Sequence, residues 1–359
     1  MLKALVWGTG GVANEMMPQV IEKGKYSILG FIDNSEDRIG TNFFGVKVYG
    51  PSILKESNFD ILVIMSDYYS DIYNQIISIN PSLANRIHNK NYFVKETLLR
   101  RYENSEDVDI NTIIERIKTK GLSVFNYDFT DEYADVDVPV FEDDKNGLYY
   151  VMHAGKKMFF PKKYSEPEIK KYYKSLLLEQ DVRSPHRYMD ERVNVGLGDV
   201  IVDAGAAEGN FSLEVIDVAK KIYIIEPDDE WCEALSYTFE KYSDKVEIIN
   251  GYLSSYDDGK YMMLDSVIHE PVDFIKMDIE GSEYEGLCGA VRVIEKSDKL
   301  RLSICSYHSD FDQLIIEGFM DKCGISHYTS NGYMWFPYSI KQRGVSSKLV
   351  KGVVRGIRL

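Results

Sequence analysis

The chain has 359 residues, of which 44% are hydrophobic and 28% charged, and its formal net charge is −15. This composition is typical of a globular protein, and the length is sufficient for two domains that each bury a core. The excess of acidic residues argues against nucleic acid as the main partner, and no apolar run approaches the roughly 20 residues of a membrane span.

Targeting and redox features predict a cytoplasmic protein. The first residues, MLKALVWG, run into a glycine turn and lack the long apolar core and cleavage site of a signal peptide. No C-x-x-C pair occurs, which favours buried, reduced thiols over disulfides or a zinc site. The four cysteines are Cys232, Cys288, Cys305 and Cys323.

Residues 1–100 alternate between strand and helix patterns and predict a small Rossmann-like domain. The expected elements are strands at 2–7, 26–34, 43–51 and 59–66 and helices at 12–23 and 69–80. A polar, acidic stretch begins at residue 101, so residues 101–130 are expected to form a linker with a connecting helix.

A second, larger α/β domain is predicted from the pattern that restarts at residue 199. It is preceded by an extension, 131–198, with short strands within 147–161 and a helix near 166–179. Five strand–helix units are expected in the core, 199–338, followed by a hairpin of strands near 324–329 and 332–338 around Asn331-Gly332. The pattern predicts a doubly wound sheet with an antiparallel C-terminal hairpin.

The last segment, residues 339–359, is predicted to be a basic tail. It carries six Lys or Arg and no acidic residue, with Leu, Val and Ile spaced between them. Such a segment can lie on an anionic membrane surface or pack against the acidic domain of its own chain.

The stretch VDAGAAEGNF, residues 202–211, predicts the cofactor site of the second domain. It lacks the G-x-G-x-x-G spacing that places a pyrophosphate at a helix N-terminus. Asp203 ends the preceding strand, where it would repel a pyrophosphate but suit a ligand with an ammonium group, such as S-adenosylmethionine. Glu226 ends the next strand, where its carboxylate can accept hydrogen bonds from both ribose hydroxyls.

A second group of charged residues follows the fourth strand of this domain. Lys276, Asp278 and Glu280 alternate, so an extended strand would project all three to one side. Glu283 follows them, and His308 ends the next strand, with Asp310 after it. These groups could deprotonate a hydroxyl, or Asp278 and His308 could hold a divalent ion such as Mg²⁺ that lowers its pKa.

These motifs together resemble the FkbM-type family of S-adenosylmethionine-dependent O-methyltransferases over roughly residues 130–338. The resemblance is carried, in family order and spacing, by GLYYV, EQDVRSPHRY (179–188), VDAGAAEGNFSL, IIEPDDEW, DFIKMDIEGSEYEGLCGA and ICSYH. It implies a class I methyltransferase fold that methylates hydroxyls, often on sugars or sugar-decorated products.

The resemblance also implies which residues form the site. Ser184, His186 and Arg187 would cover the cofactor or the substrate. The expected catalytic residues are Asp278, Glu280 and His308, which would activate the hydroxyl, and Lys276, which would orient Asp278 or the substrate. The expected cofactor-binding residues are Asp203, Gly205, Ala206, Glu208, Gly209, Asn210, Glu226, Pro227, Asn250 and Gly251.

The first glycine turn, LVWGTGGVANE (5–15), has a different interpretation. Gly8, Gly10 and Ala13 match G-x-G-x-x-A and Asp33 ends the second strand, a pattern that by itself indicates NAD. The domain is short for a dinucleotide, however, and no residues suited to hydride transfer follow. It resembles the small N-terminal nucleotide-sugar-binding domain of sugar-modifying acyltransferases, which implies a nucleotide-sugar site, with a dimerisation or positioning scaffold as the alternative.

The predicted function is therefore O-methyl transfer from S-adenosylmethionine to a sugar, nucleotide-linked sugar or glycan precursor. Two alternatives remain open at this stage. One is a non-catalytic nucleotide-sugar-binding scaffold with a vestigial methyltransferase domain, and the other is an NAD-linked sugar oxidoreductase that uses the first domain. The sequence is also compatible with an oligomer.

Overall fold

The computed structural model describes residues 1–22, 25–55, 58–336 and 348–358, and it divides into two compact units. The first comprises Met1–Ser123 with Pro337–Lys348, and the second comprises Val124–Phe336 with Leu349–Leu359. Most of the predicted linker, 101–130, thus belongs to the first unit. Its helix, Val108–Lys120, buries isoleucines at positions 110, 113, 114 and 117, which is one face of an α-helix.

In the first unit, the described residues form a six-stranded sheet in the order β3-β4-β2-β1-β5-β6. Its strands are β1 (Leu2–Trp7), β2 (Tyr26–Ile32), β3 (Asn42–Phe43), β4 (Val46–Tyr49), β5 (Ile61–Ile64) and β6 (Ile87–Asn89). The chain leaves β1 toward β2 and later returns to its other side at β5, and both pairings are parallel. The carboxyl ends of β1 and β5 thus mark a topological switch point, where α/β sheets bind ligands.

The helices of the first unit connect these strands and follow them. They are α1 (Gly11–Glu22), α2 (Tyr69–Ile79), α3 (Tyr92–Arg101) and α4 (Val108–Lys120). Asp107 caps α4, because its carboxylate accepts hydrogen bonds from the backbone N–H groups of Asp109 and Ile110. The predicted strand–helix alternation of this region is confirmed.

In the second unit, the described residues form a seven-stranded sheet in the order β12-β11-β10-β15-β16-β18-β17. A smaller sheet, β7-β8-β9, precedes it, and two short strands, β13 and β14, pair with each other. The strands are β7 (Phe141–Glu142), β8 (Tyr149–His153), β9 (Lys156–Phe159), β10 (Val200–Ala204), β11 (Lys221–Glu226), β12 (Val246–Asn250), β13 (Tyr252–Leu253), β14 (Tyr261–Met262), β15 (Phe274–Met277), β16 (Leu300–Cys305), β17 (Ser326–Thr329) and β18 (Val353–Arg358).

Five neighbouring strands of the large sheet, in the spatial order β12-β11-β10-β15-β16, are parallel. Helices cover both faces of the sheet. The helices are α5 (Glu166–Glu179), α6 (Asn210–Val215), α7 (Asp229–Thr238), α8 (Leu264–Val267), α9 (Glu283–Cys288), α10 (Val291–Lys296) and α11 (Asp312–Lys322). Apolar side chains of the two sheet faces belong to separate buried clusters, one with Ile201 and Phe274, the other with Val202 and Ile275. The predicted doubly wound α/β fold is confirmed.

The C-terminal antiparallel pair differs from the prediction. β17 pairs with β18, and β18 lies between β16 and β17, antiparallel to both. Residues 332–336 form no strand, although Met334 makes a single bridge with Val350. Residues 337 and 338 lie outside the described residues. The second strand of the predicted hairpin was therefore wrong, and the sheet uses residues 353–358 instead.

Residues 353–358 of the predicted basic tail form β18 and are therefore part of the folded second unit. Val353 and Val354 are fully buried, and Arg355 is 4% exposed. Its guanidinium lies 3.4 Å from Asp190 Oδ2, and the guanidinium of Arg358 donates to two backbone carbonyl oxygens. Within the second unit the charge of Arg355 is thus paired and Arg358 is hydrogen bonded to the backbone, while residues 339–347, where a membrane contact would begin, lie outside the described residues.

Among the helices of the described residues, none combines the length and the apolarity that crossing a membrane requires.

Candidate functional site

The predicted site residues lie at or just after the carboxyl ends of neighbouring parallel strands of one sheet, namely β10, β11, β12, β15 and β16. Parallel strands finish at the same edge of their sheet, so the loops that follow them form one continuous rim. Here β10 lies between β11 and β15, and β15 lies between β10 and β16. This topology brings the loop after β10 and the residues after β15 to one place, although they are about 70 residues apart in sequence.

The loop after β10 is held in an unusual backbone conformation. Gly205, Ala207 and Gly209 all have positive φ angles, of 70°, 44° and 75°. A Cβ on Gly205 would lie 1.8 Å from the backbone oxygen of Asp278. Glycine is therefore required at 205, since it lets this loop, here called the cofactor loop (205–209), touch the backbone after β15.

Asp203 does not take the role predicted for it. Its carboxylate is fully buried, with Oδ1 3.0 Å from Lys276 Nζ and Oδ2 accepting a hydrogen bond from the Ser212 hydroxyl at 2.7 Å. Lys276 is also buried and donates to the Gly205 carbonyl oxygen at 2.6 Å. The two charges neutralise each other beneath the cofactor loop, so both side chains are engaged in supporting this loop.

Glu208 and Glu226 have no such partner. Each is about 5% exposed, and in the described chain neither lies within ion-pair distance of a lysine or arginine. Glu208 accepts from the Tyr172 hydroxyl at 2.9 Å, and Glu226 accepts from the backbone N–H groups of Ala207 and Asp228. Burial raises the pKa of both, to about 7 for Glu208. Two desolvated carboxylates at one loop favour a positively charged ligand.

The other predicted cofactor-binding residues are brought to the same rim, with different surroundings. Ala206 and Asn210 are buried, and the Asn210 side chain accepts from the backbone N–H of Phe211. Gly251 donates its backbone N–H to the Glu226 carbonyl oxygen at 3.2 Å, whereas the exposed Asn250 side chain donates to Asp229. Gly209 precedes α6 and Pro227 follows β11 directly.

Asp278 is the centre of a buried polar network. Its Oδ2 accepts from the Tyr188 hydroxyl at 2.9 Å, and its Oδ1 accepts from the Tyr307 hydroxyl at 3.1 Å. His186 Nε2 lies 3.1 Å from the Tyr307 hydroxyl and 3.7 Å from Asp278 Oδ2. Burial raises the pKa of Asp278, but His308, His186 and Lys276 outweigh it and hold this pKa at about 2. Asp278 is therefore a stable anion and a weak base.

His308 stands between two carboxylates. Its Nδ1 lies 3.2 Å from Glu283 Oε1, and its Nε2 lies 3.5 Å from Asp278 Oδ1. Burial lowers the pKa of His308, but the close approach of Glu283 and the negative charges of Glu283 and Asp278 outweigh it and raise this pKa to about 9. Both nitrogens are buried and face an anion, so the ring fits best as an imidazolium.

Glu280 is separated from this group more than the strand pattern predicted. β15 ends at Met277, and Glu280 itself has a φ of 57°, so the expected alternation stops before it. Its side chain is 77% exposed and its Oε2 lies 3.8 Å from His308 Nε2. The strand thus brings Lys276 and Asp278 into the site and leaves Glu280 at its margin.

The predicted metal site of Asp278 and His308 gains a third donor, Glu283. The three ligand atoms lie within 4.8 Å of one another, as do those of a second group formed by His186, Asp278 and Cys305. A divalent ion would have to displace a proton from His308, because a metal binds the unprotonated nitrogen. Both nitrogens of His308 are buried and, among the described residues, face Asp278 and Glu283 at ion-pair distance without a hydrogen bond.

Sequence reasoning missed several residues of this site. Tyr188 and Tyr307 hold Asp278, and Tyr172 holds Glu208, but aromatic residues are common in cores and gave no signal at sequence level. The SPHRY segment could have revealed Tyr188, because His186 was already singled out there. Ser184 and Arg187 support this segment: Ser184 Oγ accepts from the His186 N–H, and Arg187 donates to the Met189 carbonyl oxygen.

The first unit has its own cleft, of about 390 Å³, at the switch point between β1 and β5. It is lined by the loop Gly8–Gly11, by Met65–Tyr68, and by Asp33 and Arg38 among others. The Asp33 carboxylate accepts from the Thr9 hydroxyl and the Ser35 backbone N–H and lies 3.3 Å from Arg38. Since its hydrogen-bonding capacity is largely occupied, Asp33 is poorly placed to bind the ribose of a dinucleotide.

Comparisons with known families and structures complete the description. The family model of the FkbM methyltransferase domain matches residues 258–325, and the model described as C2185-like, N-terminal, matches residues 1–87. No curated protein matches the chain.

Among solved structures, an FkbM methyltransferase from Methylobacillus flagellatus KT shares 15% identity, with 99% of this chain and 90% of that chain covered and a TM-score of 0.45. An S-adenosylmethionine-dependent methyltransferase from Aquifex aeolicus shares 15% identity over 55% of this chain and 100% of that one, with a TM-score of 0.34. A protein of Streptococcus mutans solved in complex with SAH shares 15% identity over 47% of this chain and 92% of that one, with a TM-score of 0.33.

The match at residues 258–325 spans β14, β15, β16 and the residues between them, and it includes Asp278, Glu283 and His308. The resemblance predicted from the motifs is confirmed for residues 258–325, which match the FkbM methyltransferase domain, while the predicted nucleotide-sugar site of the first unit stays a prediction.

Proposed function

We propose that this protein transfers a methyl group from S-adenosylmethionine to a hydroxyl of a sugar, nucleotide-linked sugar or glycan precursor. One observation carries the proposal: two desolvated carboxylates, Glu208 in the cofactor loop and Glu226 beside it, lie where this loop packs directly against the backbone of Asp278. A loop suited to a cation and a buried network of charged groups thus share one rim of the sheet.

The residues present fit S-adenosylmethionine. When bound, this cofactor supplies a methyl group on a positively charged sulfur, and it also carries an ammonium group and a ribose. Glu208 offers a buried negative charge that no basic residue of the described chain neutralises. Glu226 is held by two backbone N–H groups, which orient its carboxylate and leave lone pairs for ribose hydroxyls.

The network around Asp278 has a separate task. Asp278 and the His308 imidazolium form an ion pair that is anchored by Glu283 and by two tyrosine hydroxyls. Displacement at a methyl group requires alignment of the attacking oxygen with the sulfur–carbon bond, and fixed charges next to the site can impose that alignment. We therefore assign Asp278 and His308 to positioning and electrostatics rather than to proton abstraction.

The sugar acceptor is supported by the family resemblance and by one surface feature. Tyr252, Tyr256 and Tyr261 are each about half exposed, and their rings pack with centroids 5.4 and 5.6 Å apart. This aromatic group follows β12, next to Glu226, because Gly251 is hydrogen bonded to the Glu226 carbonyl oxygen. Aromatic faces suit the apolar C–H surfaces of sugar rings.

Calorimetry with S-adenosylmethionine and with NAD tests the proposal. We expect the wild type to bind S-adenosylmethionine and not NAD, and Asp278→Asn to keep that binding within about threefold. Methyl transfer by Asp278→Asn should fall by at least about 100-fold, since a neutral amide cannot hold the imidazolium in place. Failure of the wild type to bind S-adenosylmethionine would favour the scaffold, and binding of NAD alone would favour the oxidoreductase.

A further inference from the structure

We propose that Tyr172, on helix α5, is a positioning residue for the cofactor, because its hydroxyl holds the Glu208 carboxylate in place to receive the cation of S-adenosylmethionine. This inference rests on the proposed function, since it concerns the binding step of that reaction. No sequence pattern singled out Tyr172, and α5 precedes the large sheet in the chain. The hydrogen bond between the two side chains and the packing around the tyrosine ring support this role.

The Glu208 carboxylate is held by a side chain from outside the cofactor loop. Glu208 stands between two residues with positive φ, Ala207 at 44° and Gly209 at 75°, so the backbone turns tightly on both sides of it. Among the side chains of the described residues, only the Tyr172 hydroxyl hydrogen bonds to this carboxylate, with the two oxygen atoms 2.9 Å apart. Removal of that hydroxyl would leave the buried carboxylate without a side-chain hydrogen bond.

A tyrosine hydroxyl orients a carboxylate without cancelling its charge. Asp203, a buried acid on the preceding strand β10, instead faces Lys276 at 3.0 Å and is neutralised. Burial and the charge of Glu208 raise the pKa of Tyr172 well above its ordinary value, so its hydroxyl remains a neutral donor. The negative charge of Glu208 thus stays available, and its remaining lone pairs can accept hydrogen bonds from an ammonium group.

The ring of Tyr172 is fixed by three other aromatic side chains. The rings of Phe160, Tyr164 and Trp231 lie with their centroids 5.8, 5.8 and 5.9 Å from that of Tyr172, and they also contact one another. Phe160 and Tyr164 lie between β9 and α5, whereas Trp231 lies in the first turn of α7. Because every ring contacts the other three, the hydroxyl of Tyr172 cannot swing away without repacking the cluster.

The same aromatic cluster connects Glu208 to Glu226. The Trp231 backbone N–H donates to the Asp228 carboxylate at 3.3 Å, and the Asp228 backbone N–H donates to Glu226 at 2.9 Å. The ring contact between Tyr172 and Trp231 therefore fixes the two carboxylates relative to each other. A fixed pair suits a ligand that carries an ammonium group and ribose hydroxyls at a set separation, because little freedom is lost on binding.

Calorimetric titration of S-adenosylmethionine into the full-length protein tests the role. Tyr172→Phe keeps the ring and removes the hydroxyl, so we expect the Kd at pH 7 to rise by about tenfold. Tyr173→Phe is the matched control, because the Tyr173 hydroxyl also belongs to α5 but lies 3.2 Å from the Met152 carbonyl oxygen and 3.1 Å from His153 Nδ1. This variant loses a comparable hydrogen bond and should keep the wild-type Kd.

A double-mutant cycle shows whether Tyr172 acts through Glu208. Glu208→Gln should itself weaken binding. Adding Tyr172→Phe to it should change the Kd by less than about twofold, because the charge that the hydroxyl holds is already gone. Losses that multiply in the double variant would overturn the proposal, since Tyr172 would then act independently of Glu208.

The pH dependence of binding gives a readout that a purely structural role would not change. Burial raises the pKa of Glu208 to about 7, and the hydrogen bond from Tyr172 acts in the opposite direction. Affinity for S-adenosylmethionine should therefore increase with pH through about 7 in the wild type, as Glu208 ionises. The midpoint should move to higher pH in Tyr172→Phe but not in Tyr173→Phe, and the titration of the ligand itself is common to all three proteins.

The outcomes separate this role from the proposed function. An unchanged Kd or an unchanged midpoint in Tyr172→Phe would reject the positioning role and leave the proposed function standing, provided that the wild type binds S-adenosylmethionine. Absence of that binding in the wild type would instead reject the proposed function, and the role of Tyr172 with it.

Discussion

The two units of this protein each place a glycine turn after the first strand of a parallel sheet, but the acids next to the two turns differ in their partners. In the first unit, Asp33 is held by Thr9, Ser35 and Arg38, so its charge is neutralised within the fold. In the second unit, Glu208 and Glu226 are more deeply buried and, among the described residues, lie at ion-pair distance from no basic side chain.

The difference shows that a glycine turn by itself does not identify a cofactor. Both turns supply a tight bend and access to backbone N–H groups, which is what the glycines provide. The chemistry is decided by which neighbouring charges remain unsatisfied when the chain has folded. A desolvated carboxylate without a partner costs free energy, and a cationic ligand removes that cost.

The largest expected change in the free energy of unfolding comes from replacing one glycine of the second turn, Gly205, with alanine. A Cβ at Gly205 would overlap the Asp278 carbonyl oxygen, and the φ of 70° is unfavourable for alanine, so Gly205→Ala should lower the free energy of unfolding of the second unit by more than about 3 kcal/mol. A Cβ at Gly10 would meet no atom within 4 Å, so Gly10→Ala is the matched control in the first unit.

Tryptophan fluorescence in urea can separate the two units. The three tryptophans are Trp7 in the first unit and Trp231 and Trp335 in the second. In a Trp7→Phe background, the fluorescence transition reports the second unit alone. A Gly205→Ala protein with an unchanged transition and unchanged affinity for S-adenosylmethionine would show that the contact with Asp278 does not constrain the loop.

A slightly smaller change in the free energy of unfolding is expected from the charges around His308, which lies near the second turn. The pKa of His308 is raised from an ordinary value near 6.5 to about 9 in the folded protein. The associated stabilisation is fully present below pH 6.5 and is lost as the pH rises through 9. The difference in unfolding free energy between wild type and His308→Gln, both in the Trp7→Phe background, should therefore shrink by up to about 3 kcal/mol over this interval.

The matched experiment uses a histidine whose environment differs. His327 is partly exposed and lies 3.1 Å from Asp321, which is itself largely exposed, so His327→Gln should change stability by less than about 1 kcal/mol. If His308→Gln showed a pH-independent difference between pH 6.5 and 9, the imidazolium assignment would be wrong. Sensitivity of wild-type methyl transfer to EDTA, restored by Mg²⁺, would instead favour the metal site.

An intermediate effect is expected when the acid at the end of β11 is neutralised. Glu226→Gln keeps the shape of the side chain but removes the charge, and it weakens two oriented hydrogen bonds from the backbone. The Kd for S-adenosylmethionine should rise by about tenfold, which corresponds to about 1.4 kcal/mol. Glu247→Gln, an exposed acid on the neighbouring β12, should leave the Kd unchanged in the same calorimetric titration.

Much of this fold could be predicted, because apolar runs, glycine turns and helical periodicity recur in the order that a parallel sheet requires. Strand β18 was not predicted. Its segment contains basic residues and no acidic ones, which indicated a tail. In the structure, Arg355 is neutralised by Asp190, 165 positions earlier in the chain. Such long-range compensation leaves no local signal.

The site was predictable in location but not in the roles of its residues. In the structure the cofactor loop and Asp278 lie together, because the carboxyl ends of neighbouring parallel strands meet at one edge of the sheet. The pairing of Asp203 with Lys276 could not be read from spacing, because it depends on adjacent strands placing both side chains on one face of the sheet.

The smallest expected change in the free energy of unfolding is in the first unit, at Asp33. Burial raises the pKa of Asp33, but hydrogen bonds from Thr9 and Ser35 and the charge of Arg38 outweigh it and lower this pKa. The stabilisation is therefore present above an ordinary pKa near 4 and is lost as the pH falls below it. Asp33→Asn should cost about 1 kcal/mol at pH 7, because Arg38 is half exposed and solvent weakens the pair.

Trp7, at the end of β1, reports this loss when Trp231 and Trp335 are both replaced by Phe. Affinity for S-adenosylmethionine should not change in Asp33→Asn, in contrast to the tenfold loss expected for Glu226→Gln. A reduced affinity in Asp33→Asn would reverse the comparison, because it would mean that the neutralised acid, rather than the unpaired ones, serves the cofactor. The pair of variants thus tests whether unsatisfied charge, and not the glycine turn, selects the ligand.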